Sequence, residues 1–157
     1  MKITLIVTGK TDASWIQEGM EVYFKRMKHY IPFSMKVLPD IRNTRNLPPE
    51  QQKEKEAAQM LPHLETQGEI FLLDEGGIQF TSRELSAFIE KKMISACREL
   101  IFVIGGPFGF SPEMEKIASG KISLSRLTFS HQMVRLLFAE QLYRAMTIIK
   151  GESYHND

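Results

Sequence analysis

The sequence has a single cysteine, Cys97, so an intrachain disulfide is excluded. It also has few histidines, and His29, His63, His131 and His155 lie too far apart along the chain to show the spacing of a metal site. We therefore expect a protein of the reducing cytoplasm that works without a metal ion.

Long hydrophobic runs are missing as well. Apolar residues are frequent after residue 130, but Arg135, Glu140 and Arg144 interrupt them, whereas a membrane span needs about 20 consecutive apolar residues. The apolar stretch at residues 3–7 is shorter than the core of a signal peptide, which has about 7–15 residues. We expect neither membrane insertion nor export.

Neither sign of charge is in excess, since the formal net charge is +1, and the overall balance gives no indication of a nucleic-acid partner. Residues 25–45 differ from this average because they hold one acid, Asp40, and six basic residues, namely Lys25, Arg26, Lys28, Lys36, Arg42 and Arg45. A basic segment of this kind can follow RNA phosphates. The alternative is a solvated helix end and loop without a partner.

What the sequence does contain is a regular alternation of strand and helix patterns. The predicted strands are the apolar runs at residues 2–7, 33–39, 69–74 and 100–104, and a fifth that starts at Lys121. The chain length predicts one domain, which we place at residues 1–157. The alternation predicts an α/β fold with a mostly parallel sheet and helices on both faces.

Residues that favour the ends of helices or strands mark several boundaries. Ser14 with Gln17, and Thr81 with Glu84, have the spacing of a capping box and predict two helix starts. The pair Gly76-Gly77 predicts the end of the third strand.

A Pro48-Pro49 pair introduces a predicted helix from Glu50 to about Leu61. Many of its side chains are charged or carry an amide, including Gln51, Lys53, Glu54, Lys55 and Glu56. Because a helix of this composition has little apolar surface to bury, we expect it to face solvent over most of its surface.

The last predicted helix, which begins near Ser130, carries apolar residues around almost its whole circumference. One sheet face cannot cover them, so a second surface is needed, from the same chain or from a second subunit. The charged residues within the helix, Arg135, Glu140 and Arg144, suggest a site or an interface. Alternatively, Glu140 and Arg144 pair only with each other, since they are spaced i, i+4.

Glycines follow the fourth predicted strand at residues 105, 106 and 109. Ligands of parallel α/β sheets bind beyond the carboxyl ends of the strands, and glycine allows the backbone to approach a ligand closely. We interpret this segment as a ligand loop, with ordinary turn chemistry as the alternative. Its spacing does not match a dinucleotide-binding fingerprint, and Gly9-Lys10-Thr11 near the N-terminus does not match a phosphate loop.

Three spaced segments carry a resemblance to a known family. They are IGGPFGFS at residues 104–111, LSRLTFSHQMVRLLFAEQLYRA at residues 124–145 and KGESYHND at residues 150–157. With them, and with the opening MKITLIVTGK, the whole chain resembles the ribosomal RNA large-subunit methyltransferase H family of the SPOUT superfamily. The segments occur in the family's order within a chain of the family's length.

The resemblance implies a C-terminal trefoil knot, an obligate homodimer and transfer of a methyl group from S-adenosylmethionine to N3 of a pseudouridine in 23S rRNA of the large subunit. Because the basic excess of one chain is modest, we expect the assembled ribosome to be the substrate. Two roles are open for Asp74, which ends the third predicted strand: it binds the ribose hydroxyls of the donor, or it only caps a turn. The implied donor-site residues are Leu73, Gly105, Ile122, Ser123, Leu124, Ser125, Arg126 and Leu127.

The implied reaction needs donor and acceptor held in line, and help in removing the proton of a weakly acidic imide nitrogen. We select His131 at the start of the last helix, Arg135 one turn later, and Tyr154 and His155 in a tail that can close over a base. The alternatives are a histidine bound to backbone, a buried ion pair of Arg135 with Glu140 across the dimer interface, and a disordered tail.

Two other functions stay open at this point. A five-strand parallel sheet also suits a flavodoxin-like domain that binds a flavin phosphate. An RNA-binding dimer without chemistry would share the basic segment. Flavin binding without S-adenosylmethionine binding would favour the first, and RNA binding without S-adenosylmethionine binding would favour the second.

Overall fold

A computed structural model describes residues 1–65 and 68–156. Its strands are β1 (Lys2–Thr8), β2 (Phe33–Leu38), β3 (Glu69–Gln79), β4 (Glu99–Ile104) and β5 (Gly120–Ser123). They form one sheet in the order β2-β1-β4-β3-β5, and every neighbouring pair is parallel. The predicted parallel sheet is therefore confirmed.

The helices cover both faces of this sheet. They are α1 (Ser14–Met27), α2 (Pro49–Met60), α3 (Ser82–Ile94), α4 (Pro112–Ile117) and α5 (Met133–Ile149), with 3-10 turns at Thr44–Asn46 and Leu61–His63. Alternate residues of a strand point to opposite faces, so Leu5 of β1 packs in one core with α1, α3 and α5, and Ile6 packs in another with α2 and α4. The predicted α/β fold is confirmed, while the trefoil knot and the single domain stay predictions.

The third strand does not end at Gly76-Gly77 as predicted, because it continues to Gln79. Its pairing with β5 shifts register between Leu73 and Ile78, and both of these residues oppose Ile122. A Cβ atom on Gly77 would lie 2.6 Å from the backbone nitrogen of Ile122. The glycine therefore lets an irregular strand pass close to its neighbour, and it does not terminate the strand.

One of the two predicted capping boxes is wrong. Thr81 and Glu84 form theirs at the start of α3, with both hydrogen bonds present. Ser14 instead lies within the first turn of α1, whose N-cap residue is Ala13 and has no side-chain cap. The amides of Asp12 and Ala13 donate to Oε1 of Gln132, at 2.9 and 3.2 Å. The segment that leads into α1 is thus held by a residue about 120 positions later.

The expectation that α2 faces solvent over most of its surface is wrong for one side of the helix. Its buried residues are Gln52, Glu56, Ala57 and Met60. Ala57 and Met60 enter the core beneath the sheet, together with Met114 of α4. The two polar residues are buried beside them, which the composition of the helix did not indicate.

The last helix begins at Met133 and packs against both α1 and α3. Phe138, Leu142 and Met146 are buried in the core that these helices share with the sheet. The second surface that its apolar circumference requires therefore comes at least partly from the same chain. Among the residues that the structure describes, no helix has the length and apolar content of a membrane span.

Candidate active site

The carboxyl ends of β4, β3 and β5 open into a cavity of about 580 Å³, which we call the strand-end cavity. Leu73 of β3 pairs with Ile104 on one side and with Ile122 on the other, so the segments beyond the three strands start at the same level. The walls come from residues 73–75, residues 104–110 and residues between 123 and 134. The cavity lies where ligands of parallel sheets bind.

The first wall is the glycine loop, residues 105–109. The amide of Gly109 donates to the carbonyl oxygen of Gly106 at 3.3 Å, which closes the loop into a tight turn. A Cβ atom on Gly106 would lie 2.2 Å from Oε1 of Glu56. A side chain at position 106 would have to displace this carboxylate, and with glycine there the loop backbone itself forms the wall.

The opposite wall is the serine loop, residues 123–128, which is held by its own hydroxyl groups. Ser123 Oγ donates to the carbonyl oxygen of Ser125 at 2.8 Å, and the amide of Leu127 donates to Ser125 Oγ at 2.9 Å. Thr128 Oγ1 then donates to Glu75 at 3.2 Å, which ties the loop to the bulge of β3. These side-chain hydrogen bonds replace regular secondary structure.

The lining of the strand-end cavity favours a cation. Its described residues include the carboxylates of Asp74 and Glu75 and no lysine or arginine, with His131 as the one histidine. The amide of Gly76 donates to Asp74 Oδ1 at 2.9 Å, so Asp74 does cap a turn. Exposed apolar side chains also line the cavity, at Phe108, Leu127 and Phe129. The cavity therefore suits a ligand that has both a flat apolar part and a positive charge.

Seven of the twelve residues selected from the sequence line this cavity, namely Leu73, Gly105, Ser123, Leu124, Ser125, Leu127 and His131. Ile122 is buried in the hydrophobic core, and Arg126 is exposed outside the lining. The other three, Arg135, Tyr154 and His155, lie elsewhere.

Arg135 is buried, with 1% of its surface exposed. Its guanidinium donates to the carbonyl oxygens of Thr8 (2.6 Å), Gly9 (2.9 Å) and His131 (3.1 Å), and to Thr11 Oγ1 (3.0 Å). Burial lowers the pKa of Arg135, and nearby carboxylates partly oppose this shift. Within the chain its partners are therefore three carbonyl oxygens and the Thr11 hydroxyl, and not Glu140. Arg135 joins the end of β1 to the start of α5.

Tyr154 and His155 form, with Glu140 and Arg144 of α5, a group that we call the tail cluster. Arg144 donates twice to Glu140 Oε1, at 2.6 and 3.1 Å, and Tyr154 donates to the same oxygen at 3.0 Å. His155 Nδ1 lies 3.2 Å from Arg144 Nη1. Burial raises the pKa of Tyr154, and interactions with Tyr23 and Glu140 raise it further. The i, i+4 pair of Glu140 and Arg144 that the spacing predicts is confirmed. Its contacts with the tail were not predictable from spacing.

Beside the tail cluster lies a groove of about 400 Å³, the α1 groove, which is lined by Lys25, Arg26, His29, Tyr30 and Tyr143. The guanidinium of Arg26 lies 5.6 Å from the centroid of the Tyr143 ring. All four tyrosines of the chain meet here, because the Tyr143 ring contacts Tyr23, Tyr30 and Tyr154.

The rest of the basic segment lies apart from the groove. Lys36 of β2 forms a hydrogen bond with His63, and Arg42 and Arg45 lie in the loop before α2. Only the first part of the segment therefore meets aromatic side chains. In residues 1–65 and 68–156, no group of three or more histidine, cysteine or acidic side chains is placed to hold a metal ion.

Comparison with known proteins gives one consistent result. The family model described as "Predicted SPOUT methyltransferase" matches residues 1–155. A protein of Parabacteroides distasonis is 54% identical over 157 residues, which is 100% of both chains. One from Flavobacterium johnsoniae is 50% identical over 156 residues, or 99% of both, and one from Porphyromonas gingivalis strain ATCC 33277 is 48% identical over 100% of both. Each of the three is named ribosomal RNA large subunit methyltransferase H. This chain belongs to the SPOUT methyltransferase family.

Proposed function

We propose that this protein transfers a methyl group from S-adenosylmethionine to N3 of a pseudouridine in 23S rRNA, as a cytoplasmic homodimer that acts on the assembled ribosome. The observation that carries the proposal is the convergence of Gly105 and Leu124 on one cavity beyond the sheet, in a chain of this family. The names of its relatives support the large-subunit rRNA as substrate.

The strand-end cavity suits the donor in size, shape and charge. Its volume of about 580 Å³ is within the range of sites for ligands of this class. When bound, S-adenosylmethionine supplies a methyl group that its sulfonium already activates. Leu73, Gly105 and the serine loop would hold it from opposite sides. Asp74 has one oxygen engaged by Gly76 and would offer the other to the ribose hydroxyls.

The groups that would act on the pseudouridine are not all at this cavity. His131 lines it, but Tyr154 and His155 lie in the tail cluster, outside the lining. A second copy of the chain would complete the site if its tail cluster faced this cavity. The partial separation within one chain is what supports a homodimer.

Within such a site, each residue of the tail cluster has a chemical task. Removing a proton from an imide nitrogen develops negative charge on the pseudouridine ring, and the Arg144 guanidinium would stabilise this charge. His155 would accept the proton at Nδ1 once Arg144 exchanges this nitrogen for an oxygen of the pseudouridine. Glu140 accepts hydrogen bonds from Arg144 and Tyr154 and therefore fixes their positions. Arg135 would act indirectly, by holding the segment that carries His131.

The α1 groove is the surface that we assign to the RNA backbone near the target base. Lys25, Arg26 and His29 offer positive charge, and Tyr30 and Tyr143 offer rings on which an unpaired base can stack. The groove adjoins the tail cluster through the contact between Tyr143 and Tyr154, whose ring centroids are 4.8 Å apart. A strand crossing the groove would therefore reach the reacting groups.

The function is tested with methyl-labelled S-adenosylmethionine and ribosomes from cells that lack the modification. We expect label at N3 of a pseudouridine in 23S rRNA, and little label when deproteinised rRNA replaces ribosomes. Unlabelled ribosomes would refute the proposal. In that case, RNA binding together with no heat of S-adenosylmethionine binding in calorimetry would indicate a non-catalytic RNA-binding dimer. A yellow protein with bound flavin would instead indicate a flavodoxin-like domain.

A further inference from the structure

The α2 helix buries a carboxylate whose surroundings do not explain it. Glu56 has 6% of its surface exposed, and Ala57 and Met60 beside it are part of the apolar core. Gln52 Nε2 donates to Glu56 Oε1 at 3.0 Å, and within residues 1–65 and 68–156 this neutral amide is its one hydrogen-bond donor. Burying a carboxylate costs free energy unless a positive group compensates for the lost water.

The carboxylate lies directly behind the glycine loop of the strand-end cavity. A Cβ atom on Gly106 would be 2.2 Å from Glu56 Oε1 and 2.5 Å from Oε2, so both oxygens face the backbone of that residue. Gly106 lines the cavity and Glu56 does not. Glu56 therefore has no direct access to a ligand, and any effect on the cavity passes through one layer of backbone.

Two other carboxylates near the cavity differ from Glu56 in exposure. Asp74 is half-buried and Glu75 is exposed, so water and salt screen both. A buried charge is screened much less, and its field acts over a longer distance. Of these three acids, Glu56 is therefore the one whose charge water and salt screen least.

We propose that Glu56 is a positioning residue whose buried negative charge makes the strand-end cavity prefer the cationic methyl donor to the neutral thioether that remains after transfer. The inference rests on the proposed function. S-adenosylmethionine and S-adenosylhomocysteine differ by the methyl group and the positive charge at sulfur. Because their shapes are so similar, a negative charge behind the glycine loop distinguishes their affinities better than the shape of the cavity does. The preference would help the spent product to leave.

The test compares the dissociation constants of both molecules by calorimetry for four proteins. Glu56→Gln keeps the shape and removes the charge, Glu56→Asp keeps the charge, and Glu54→Gln removes an exposed charge from the same helix. Removing one unit charge from a partly buried site near a cationic ligand changes its affinity by about fivefold or more. We therefore expect Glu56→Gln to weaken S-adenosylmethionine binding by about that factor, with S-adenosylhomocysteine binding changed less than about twofold.

The remaining variants separate charge from shape. Glu56→Asp and Glu54→Gln should keep the wild-type ratio of the two dissociation constants. Equal weakening of both ligands by Glu56→Gln, or no weakening of either, would overturn the inference. If that variant does not fold, the wild type still decides, because a ratio set by a buried charge stays nearly constant from about 0.05 to 0.5 M salt, whereas a ratio set by the more exposed Asp74 and Glu75 falls as salt rises. Failure to bind either ligand would instead count against the proposed function.

Discussion

Tyr154 and Glu140 join the C-terminal tail to the last helix, with the phenol donating to Glu140 Oε1 at 3.0 Å. The same oxygen accepts two hydrogen bonds from Arg144, and the second oxygen accepts one from Gln141 at 2.7 Å. Glu140 is thus the centre on which the tail cluster is assembled. Removing any one of its donors should loosen the others.

The first prediction concerns the hydroxyl group of Tyr154. In Tyr154→Phe the ring stays and the hydrogen bond to Glu140 is lost, so Arg144 and His155 are held less firmly. We expect the rate of methyl transfer to ribosomes to fall about 10- to 100-fold, while the dissociation constant of the donor stays within about twofold. Single-turnover transfer and calorimetry measure the two quantities.

Tyr30→Phe is the matched control, because Tyr30 also donates its hydroxyl to a glutamate, Glu152, at 2.5 Å. That pair does not involve Arg144 or Glu140, so its loss should slow transfer far less. If the two variants slow methyl transfer equally, the Tyr154 hydroxyl does no more than hold the tail in place.

The second prediction concerns the alkaline titration of Tyr154. Its pKa is raised by burial and by its hydrogen bonds, so the folded protein keeps its proton at a pH where an unfolded tyrosine, with a pKa of about 10, loses it. The unfolded state then binds fewer protons, and the contribution of Tyr154 to stability falls as the pH rises above about 10. Absorbance at the tyrosinate band should show a late component with contributions from Tyr154 and from Tyr30, whose pKa is raised mainly by its hydrogen bond to Glu152, and Tyr154→Phe should reduce this component. An unchanged late component would contradict the assignment.

The third prediction concerns Arg135. Replacing it with alanine leaves the carbonyl oxygens of Thr8 and Gly9 without their donor and opens a cavity in a packed region. We expect the free energy of unfolding to fall by about 2–4 kcal/mol, measured by urea denaturation. Arg126→Ala, at an exposed position, should change it by less than about 0.5 kcal/mol. A stable Arg135→Ala protein with normal donor binding and no transfer would restore Arg135 as a direct participant in the reaction.

The parts of the molecule that sequence could predict are those that depend on local pattern. The β4 strand is buried on both faces, and its continuous apolar run indicates this directly. The convergence of Gly105 and Leu124 follows from the rule that parallel strands place their carboxyl ends at one edge. Residues of two such loops can therefore be assigned to one cavity before any coordinates are known.

The parts that sequence could not predict depend on contacts between distant segments. Gln132, and not a capping box at Ser14, holds the segment that leads into α1, and Glu56 is buried because the glycine loop passes over it. Arg135 looked like a ligand-binding cation because nothing nearby in sequence shows that the end of β1 offers it two carbonyl oxygens. In each case the partner is 50 or more positions away, so neither helical spacing nor composition contains the information.

The fourth prediction tests the α1 groove. Lys25→Ala combined with Arg26→Ala removes two charges from it and should weaken ribosome binding, with the slope of log affinity against log salt reduced by about 1 to 2. Donor affinity should not change. Lys36→Ala is the control, since Lys36 belongs to the same basic segment but contacts His63 away from the groove. If Lys36→Ala lowers the slope as much as the double variant, the groove is not the RNA contact.

The last prediction decides whether the tail cluster serves its own cavity or that of a partner. One variant, Leu124→Arg, places a cation in the cavity lining and should abolish donor binding, which calorimetry verifies first. The other lacks residues 152–157 and therefore Tyr154 and His155, but keeps the cavity. Each alone should be inactive on ribosomes.

Mixing the two variants after mild unfolding and refolding produces dimers of random composition. If the site is built from two subunits, each mixed dimer has one intact cavity facing one intact tail, and activity should return to about a quarter of the wild-type rate, because half of the dimers are mixed and each has one of two sites. If each subunit uses its own tail, every site in the mixture carries a defect and activity stays absent. A mixture that is inactive although size-exclusion and mass measurements show mixed dimers would therefore place the tail cluster on its own subunit's cavity.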